Sequence, residues 1–196
     1  MNPTAVPTDW YTASEEAELA EFGIVHGLGI TGKGEPGGPV HLESIEILVG
    51  VAGPLVDLAG QSGAPLAMPP MEGRWWVEDD RPPFDVPRAE WSWQLFLRLP
   101  DDLPAPLFDL AREAARRSNP AAARVQLVAF TEGHCVQALH VGPYADEPRT
   151  LAKLDELMSA RGLLPNGLHH EICLSDFSET DPSKIRTILR QPVCAG

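Results

Sequence analysis

Two imidazoles, a carboxylate and a thiol fall together in the run Leu168-His169-His170-Glu171-Ile172-Cys173-Leu174-Ser175. Read as a strand, it places His170, Ile172 and Leu174 on one face and His169, Glu171, Cys173 and Ser175 on the other. The first face is core. The second either lines a cavity or is the wetted side of an antiparallel sheet. A carboxyl among apolar neighbours binds its proton more tightly, which suits Glu171 to general acid or base work. A second carboxylate, Glu147, follows the turn Gly142-Pro143-Tyr144-Ala145-Asp146 at the entry to a helix. There it can serve chemistry or simply favour the positive end of the helix dipole. Tyr144, in that turn, can donate to a ligand oxygen. Cys173 is either a nucleophile with His169 beside it or a small buried thiol.

Neighbouring strand residues point opposite ways, so His169 and His170 cannot chelate one ion together. His169 with Glu171, and His140 as a third donor, is the remaining metal set, and no HExxH spacing supports it. The reading therefore expects no metal and no cofactor. The Gly-rich stretch Thr31–Pro39 lacks the GxxxxGK[ST] spacing of a phosphate loop and reads as a plain loop.

Aromatic residues are the other signal. All five tryptophans lie in the first half, four of them as Trp75, Trp76, Trp91 and Trp93. Two strands that each offer a pair of indoles can fill a core or build a wall for a flat ligand. Trp76 and Trp93 are the residues expected to touch it.

The 196-residue chain carries 28 acidic and 15 basic residues, a formal charge of −13. A surface so negative repels phosphate backbones, so nucleic acid is not an expected partner. A neutral or cationic small molecule fits better. Three cysteines without a CxxC pair argue against a disulfide framework and a structural zinc site. The N-terminus lacks the charged and apolar regions of a signal peptide, and no run approaches a membrane span. A cytoplasmic protein with no membrane partner, a monomer or weak homodimer, is the expectation.

Positioning these groups requires an ordered set of elements. Residues 1–20 read as an acidic N-terminal arm, and 21–196 as one domain. Within it, strands are expected over 22–30, 71–79, 91–99, 125–130, 133–141, 168–175 and 184–193. Apolar spacing predicts helices over 42–59, kinked near Gly50, and over 147–161. A further helix runs to Ser118, with Asp102 as N-cap and Pro104 in its first turn. Strand, helix, strand, strand thus occurs twice, over about 23–99 and 133–193, with a connecting helix over about 104–118. The fold class is α+β, two βαββ repeats associating by their sheets about a pseudo-twofold axis with a ligand cleft between them.

The stretches Glu132–Tyr144, Asp146-Glu147-Pro148, His169–Asp176 and Ile188–Val193 resemble the GyrI-like small-molecule-binding family. Trp75-Trp76 and Trp91-Ser92-Trp93 resemble signatures of its first half. The resemblance spans roughly residues 20–193 and implies the fold shared with SOUL haem-binding and multidrug-sensor domains. Within the family, the chain is similar to stand-alone cyclopropanoid cyclopropyl hydrolases, which open the strained ring of DNA-alkylating spirocyclopropyl-cyclohexadienone natural products. That similarity implies catalytic roles for Glu171 and Glu147, for detoxification or self-resistance. Tyr144, Cys173, His140 and His169 join Trp76 and Trp93 as expected ligand contacts. One departure stands out: the family carries a tyrosine where this chain has Cys173, so the pocket is enlarged and one phenol lost. With no DNA-binding helix pair ahead of the domain, a one-component regulator is not expected. The alternatives to hydrolysis are sequestration of a flat aromatic molecule without chemistry and a protein-interaction module of gyrase-modulator type.

Overall fold

The computed structural model describes residues 8–176 and 179–196. Its elements run β1 (Glu18–Lys33), α1 (Pro39–Gln61), β2 (Met71–Trp76), β3 (Ser92–Leu99), α2 (Ala105–Ser118), β4 (Gln126–Val141), α3 (Glu147–Arg161), β5 (Leu163–Pro165), β6 (His169–Cys173) and β7 (Arg186–Ala195). The class is α+β, and strand–helix–strand–strand order occurs twice, as β1-α1-β2-β3 and β4-α3-β6-β7, with the short β5 added in the second set. The described residues form two compact units: Val25–Pro69 with Trp75–Ala129, and 8–24 with Pro70–Arg74, 130–176 and 179–196.

In the first unit β1 pairs antiparallel with β3, setting Leu28 opposite Leu97, Ile30 opposite Leu95 and Gly32 opposite Trp93. Glycine is required at 32, because a Cβ there would collide with the Trp93 indole. Helix α1 buries Ile47, Leu48, Val51, Ala52, Leu55 and Ala59 along one stripe, the 3.6-residue period of an amphipathic helix. It runs unbroken from Pro39 to Gln61 through Pro54. The residue four before that proline is Gly50, the type best able to turn its carbonyl from the ring.

Two boundaries differ from the sequence reading. Helix α2 starts at Ala105 with Pro104 as its N-cap, not Asp102. A proline pushes the residue before it into extended backbone, so Leu103 cannot open a helix. The two strands expected over 125–130 and 133–141 are one, β4, passing through Gly133 at φ +71. Only glycine takes that angle without cost.

In the second unit β7 is the shared partner. It pairs antiparallel with β4 (Ala138 opposite Leu189), with β6 (His170 opposite Arg190, Ile172 opposite Ile188) and with β5. Helix α3 closes on this sheet through Leu154 and Met158, which pack with Val136, Ala138, Leu189 and Val193.

At the centre of the unit lies a buried charge triad. His170 Nδ1 stands 2.7 Å from Glu132 and Nε2 stands 2.9 Å from Glu72, all three side chains being 0–1% exposed. Both ring nitrogens face carboxylates, so both carry hydrogens and the ring is an imidazolium. Burial alone would deprotonate it, but the two carboxylates hold the His170 pKa above its ordinary value. Burial likewise opposes the Glu132 charge, but His170, Arg190 and Arg74 together bring its pKa below the ordinary value. Trp10 Nε1 and the Tyr11 hydroxyl donate to Glu72 at 3.1 and 3.2 Å. The Arg190 guanidinium lies over the rings of Trp10 and Phe22, and that of Arg74 over Phe130.

The segment expected as an acidic arm is therefore built in from Thr8 onward: Trp10 is 1% exposed. Arg190 donates to its carbonyl at 2.8 Å, and Gln137 donates to the Thr12 carbonyl at 3.1 Å.

Removing the imidazolium leaves two buried carboxylates facing each other. We expect His170→Leu to lose about 3–5 kcal/mol of stability near pH 6, read by urea unfolding. The wild-type advantage over this variant has a defined pH window. His170, with its pKa raised, contributes below its unfolded value of 6.5 and loses that contribution as pH rises through the folded value. Glu132, with its pKa lowered, contributes above 4.5 and loses it as pH falls through its folded value. An advantage that stayed constant from acid to alkaline pH would contradict the charged triad.

Candidate functional site

The inward anchoring of His170 decides what the other face of β6 presents. His170 and Ile172 are buried, while His169, Glu171 and Cys173 are partly exposed. The alternation read from the sequence holds. Along the same face, Tyr144 comes from the 3-10 turn Tyr144–Asp146 and Glu147 from the first turn of α3. The Tyr144 hydroxyl donates to Cys173 Sγ at 3.9 Å. Glu171 and Glu147 both act on the ionisation of Tyr144 and of Cys173, so the four side chains share one electrostatic neighbourhood.

Its character is set by desolvation. Burial first, then the Glu171 charge, pushes the Cys173 thiol up to about 12. Burial also raises the Tyr144 phenol, with Cys173 and the two glutamates adding to it. Both stay protonated near neutral pH, as hydrogen donors and not as nucleophiles. His169 is lowered to about 4 by burial and by the positive His170 next to it. Its ring is neutral at pH 7, so the 3.8 Å approach of Nε2 to Glu171 Oε1 is not an ion pair. Those two side chains are 23% and 20% exposed. Glu171 thus meets water from a largely desolvated face.

His140 has a different job. Its Nδ1 meets the Thr150 hydroxyl at 2.9 Å and its Nε2 the Pro143 carbonyl at 3.1 Å. A carbonyl only accepts, so Nε2 carries the hydrogen and, in the neutral ring, Nδ1 accepts from Thr150. Both ring nitrogens are committed to holding the Gly142–Tyr144 turn against α3. Ser175 is committed too, donating to the Lys184 carbonyl at 2.9 Å and accepting from the Arg186 amide at 2.7 Å.

In the first unit Trp93, Trp75 and Trp91 form a row of rings with His41 and Phe84. Trp93 is fully buried, Trp75, Trp76 and Trp91 are partly exposed, and Phe84 is 70% exposed. His41 from α1 meets Trp93 edge-on with centroids 5.2 Å apart and stacks on Trp75 at 5.6 Å. Trp91 contacts Trp75 at 6.5 Å and Phe84 at 6.0 Å. Sequence reasoning found the indoles but missed His41, which falls between the loop read over 31–39 and the helix read over 42–59. It also missed Glu72 and Trp10 as partners of His170. A charged residue buried in a strand was the available signal for Glu72.

Among the described residues, no helix is long and apolar enough to cross a membrane, and no group of three or more His, Cys, Asp or Glu is placed to hold a metal ion.

Comparison with known proteins bears on what such a site handles. Residues 108–193 match the GyrI-like small molecule binding domain. No curated protein matches the chain. The fold is similar to a solved uncharacterized conserved protein from Listeria innocua, at 33% identity over 95% of this chain and 96% of that one, with a TM-score of 0.86. It is also similar to a hydrolase from Listeria innocua, at 32% identity over the same shares, with a TM-score of 0.80. The C-terminal domain of EcmrR shares the fold at a TM-score of 0.60 and 10% identity, covering 92% of this chain and 98% of that one.

Thiol reactivity checks the electrostatics of the site. Cys194 is exposed, Cys135 buried and Cys173 partly buried, and burial also raises Cys135 to about 12. With the native protein at pH 8, Ellman's reagent should label one thiol quickly, and Cys194→Ser should abolish that fast phase. A second fast phase lost in Cys173→Ser would show that the Cys173 thiol ionises readily and would refute the desolvated site.

Proposed function

The chain belongs to the GyrI-like small-molecule-binding family, and on that premise we propose that it hydrolyses a strained flat substrate at Glu171. The proposed reaction opens the cyclopropane of a spirocyclopropyl-cyclohexadienone. The observation that carries this reading is the grouping of Glu171, Glu147, Tyr144 and Cys173, in which both hydrogen donors are neutral. Similarity to a Listeria innocua hydrolase over 95% of the chain supports an enzyme of this general type.

In the proposed step a water oxygen attacks the cyclopropane methylene carbon while Glu171 takes its proton. The bond from that carbon to the spiro carbon breaks, and its electron pair moves through the dienone onto the carbonyl oxygen. The ring becomes a phenolate, which then takes up a proton, so substrate plus one water gives one phenol. Strain release and aromatisation drive the reaction, leaving the protein to place the water and ease the proton's movement. Glu147 assists from the start of α3. Tyr144, kept protonated, donates a hydrogen bond to substrate.

A second reading, sequestration without turnover, is favoured by Cys173. A thiol there, in place of the tyrosine that the family resemblance implies, is a weaker donor and leaves more room.

Mass spectrometry of a cyclopropapyrroloindole compound after incubation separates the two. Hydrolysis adds the mass of one water, whereas sequestration leaves the mass unchanged with saturable tryptophan quenching. Glu171→Gln should fold and quench normally yet hydrolyse at least roughly a hundredfold more slowly. Glu147→Gln should show a smaller loss. Full activity in Glu171→Gln would remove the carboxylate mechanism.

A further inference from the structure

Three buried N–H groups in the first unit point to a ligand of definite chemistry. The Nε1 atoms of Trp75 and Trp93 and the Nε2 atom of His41 are buried and have no hydrogen-bond partner among the described residues. The tautomer of His41 is set by its other nitrogen. The backbone amide of Gly37 donates to Nδ1 at 3.3 Å, so in the neutral ring Nε2 carries the hydrogen. Burial lowers the His41 pKa, which keeps the ring neutral. All three orphaned groups are therefore donors, and the His41 ring touches both of the indoles.

Leaving such a donor unsatisfied in a buried position is costly. Native structures carry few of them, and a cluster of three needs a cause. The neighbouring indole shows the ordinary solution: Trp91 Nε1 donates to the Val86 carbonyl at 3.1 Å. The row of rings also runs outward, from fully buried Trp93 through His41, Trp75 and Trp91 to Phe84, 70% exposed. A flat molecule entering between such rings gains stacking, and an acceptor on it would satisfy the donors.

We propose that His41, Trp75 and Trp93 form a donor-lined aromatic site in the first unit that binds a planar ligand by a carbonyl oxygen. The acceptor is a neutral carbonyl and not an anion, because a protein of charge −13 repels anions. His41 sets the specificity, since its N–H is neutral and its tautomer is held by the chain. All three residues belong to the first unit, and their binding of a ligand does not depend on hydrolysis at Glu171.

Two planar probes of nearly the same shape test this. 9-Fluorenone carries a carbonyl where fluorene has a methylene. In equilibrium dialysis the wild-type protein should bind fluorenone at least about tenfold more tightly than fluorene, the worth of one well-made hydrogen bond in a buried site. His41→Phe, which keeps a ring and removes the N–H, should lose most of that preference while still binding fluorene. His41→Gln, which keeps an N–H, should retain part of it. If His41→Phe does not fold, as judged by circular dichroism, Trp75→Phe makes the same comparison. Equal affinity for the two probes, binding of neither, or a preference untouched by these substitutions would overturn the proposal. Neither probe has a cyclopropane, so the result is independent of whether the protein hydrolyses one.

Discussion

The buried imidazolium of His170, held between Glu72 and Glu132, constrains the rest of the second unit. Taking three charges out of water is expensive, and their attraction offsets that cost only when the geometry is well satisfied. Here the geometry draws on distant parts of the chain: Trp10 and Tyr11 donate to Glu72, while Arg190 and Arg74 sit near Glu132. Such a triad specifies more than it stabilises. A strand slipped by one residue turns every side chain to the opposite face. With His170 tied inward, β6 has one register, opposite Arg190 of β7. Glu171 and Cys173 must then face the other way.

That outward face works through desolvation. The burial that makes Cys173 a poor nucleophile also keeps His169 neutral, while Tyr144, half-exposed, stays protonated as a phenol does near neutral pH. Two hydrogen donors and a weakly basic imidazole share the neighbourhood of Glu171. Proton transfer from a water to a carboxylate suits such surroundings better than attack by a thiolate. The backing is rigid as well, because His140 spends both nitrogens on the turn that carries Tyr144. In the first unit burial acts through hydrogen bonding. Among the described residues the ring N–H groups of His41, Trp75 and Trp93 lack acceptors, which gives an apolar row a polar preference.

How much was legible in the sequence follows from the range of each interaction. The alternation over His169–Cys173, the apolar stripe of α1 and the strand–helix–strand–strand order are local patterns with periods of two and 3.6 residues, and they read correctly. The residues that resemble the GyrI-like family carried its fold for the same reason, as motifs contiguous in the chain. Boundaries read less well where backbone geometry decided them, as at Pro104 and Gly133.

Only the tertiary structure decided the partners of His170. Glu72 and Glu132 lie 98 and 38 residues away in sequence, and no spacing announces them. Trp10 looked like part of a loose arm because its packing partners, Phe22, His170 and Arg190, come from three separate elements. His41 drew no notice in the sequence because its ring contacts exist only once α1 brings it against Trp75 and Trp93. Residue types and periodicity determined which faces could do chemistry. Long-range burial decided which groups on those faces keep their protons, since desolvation depends on everything packed around a group and not on its neighbours in the chain.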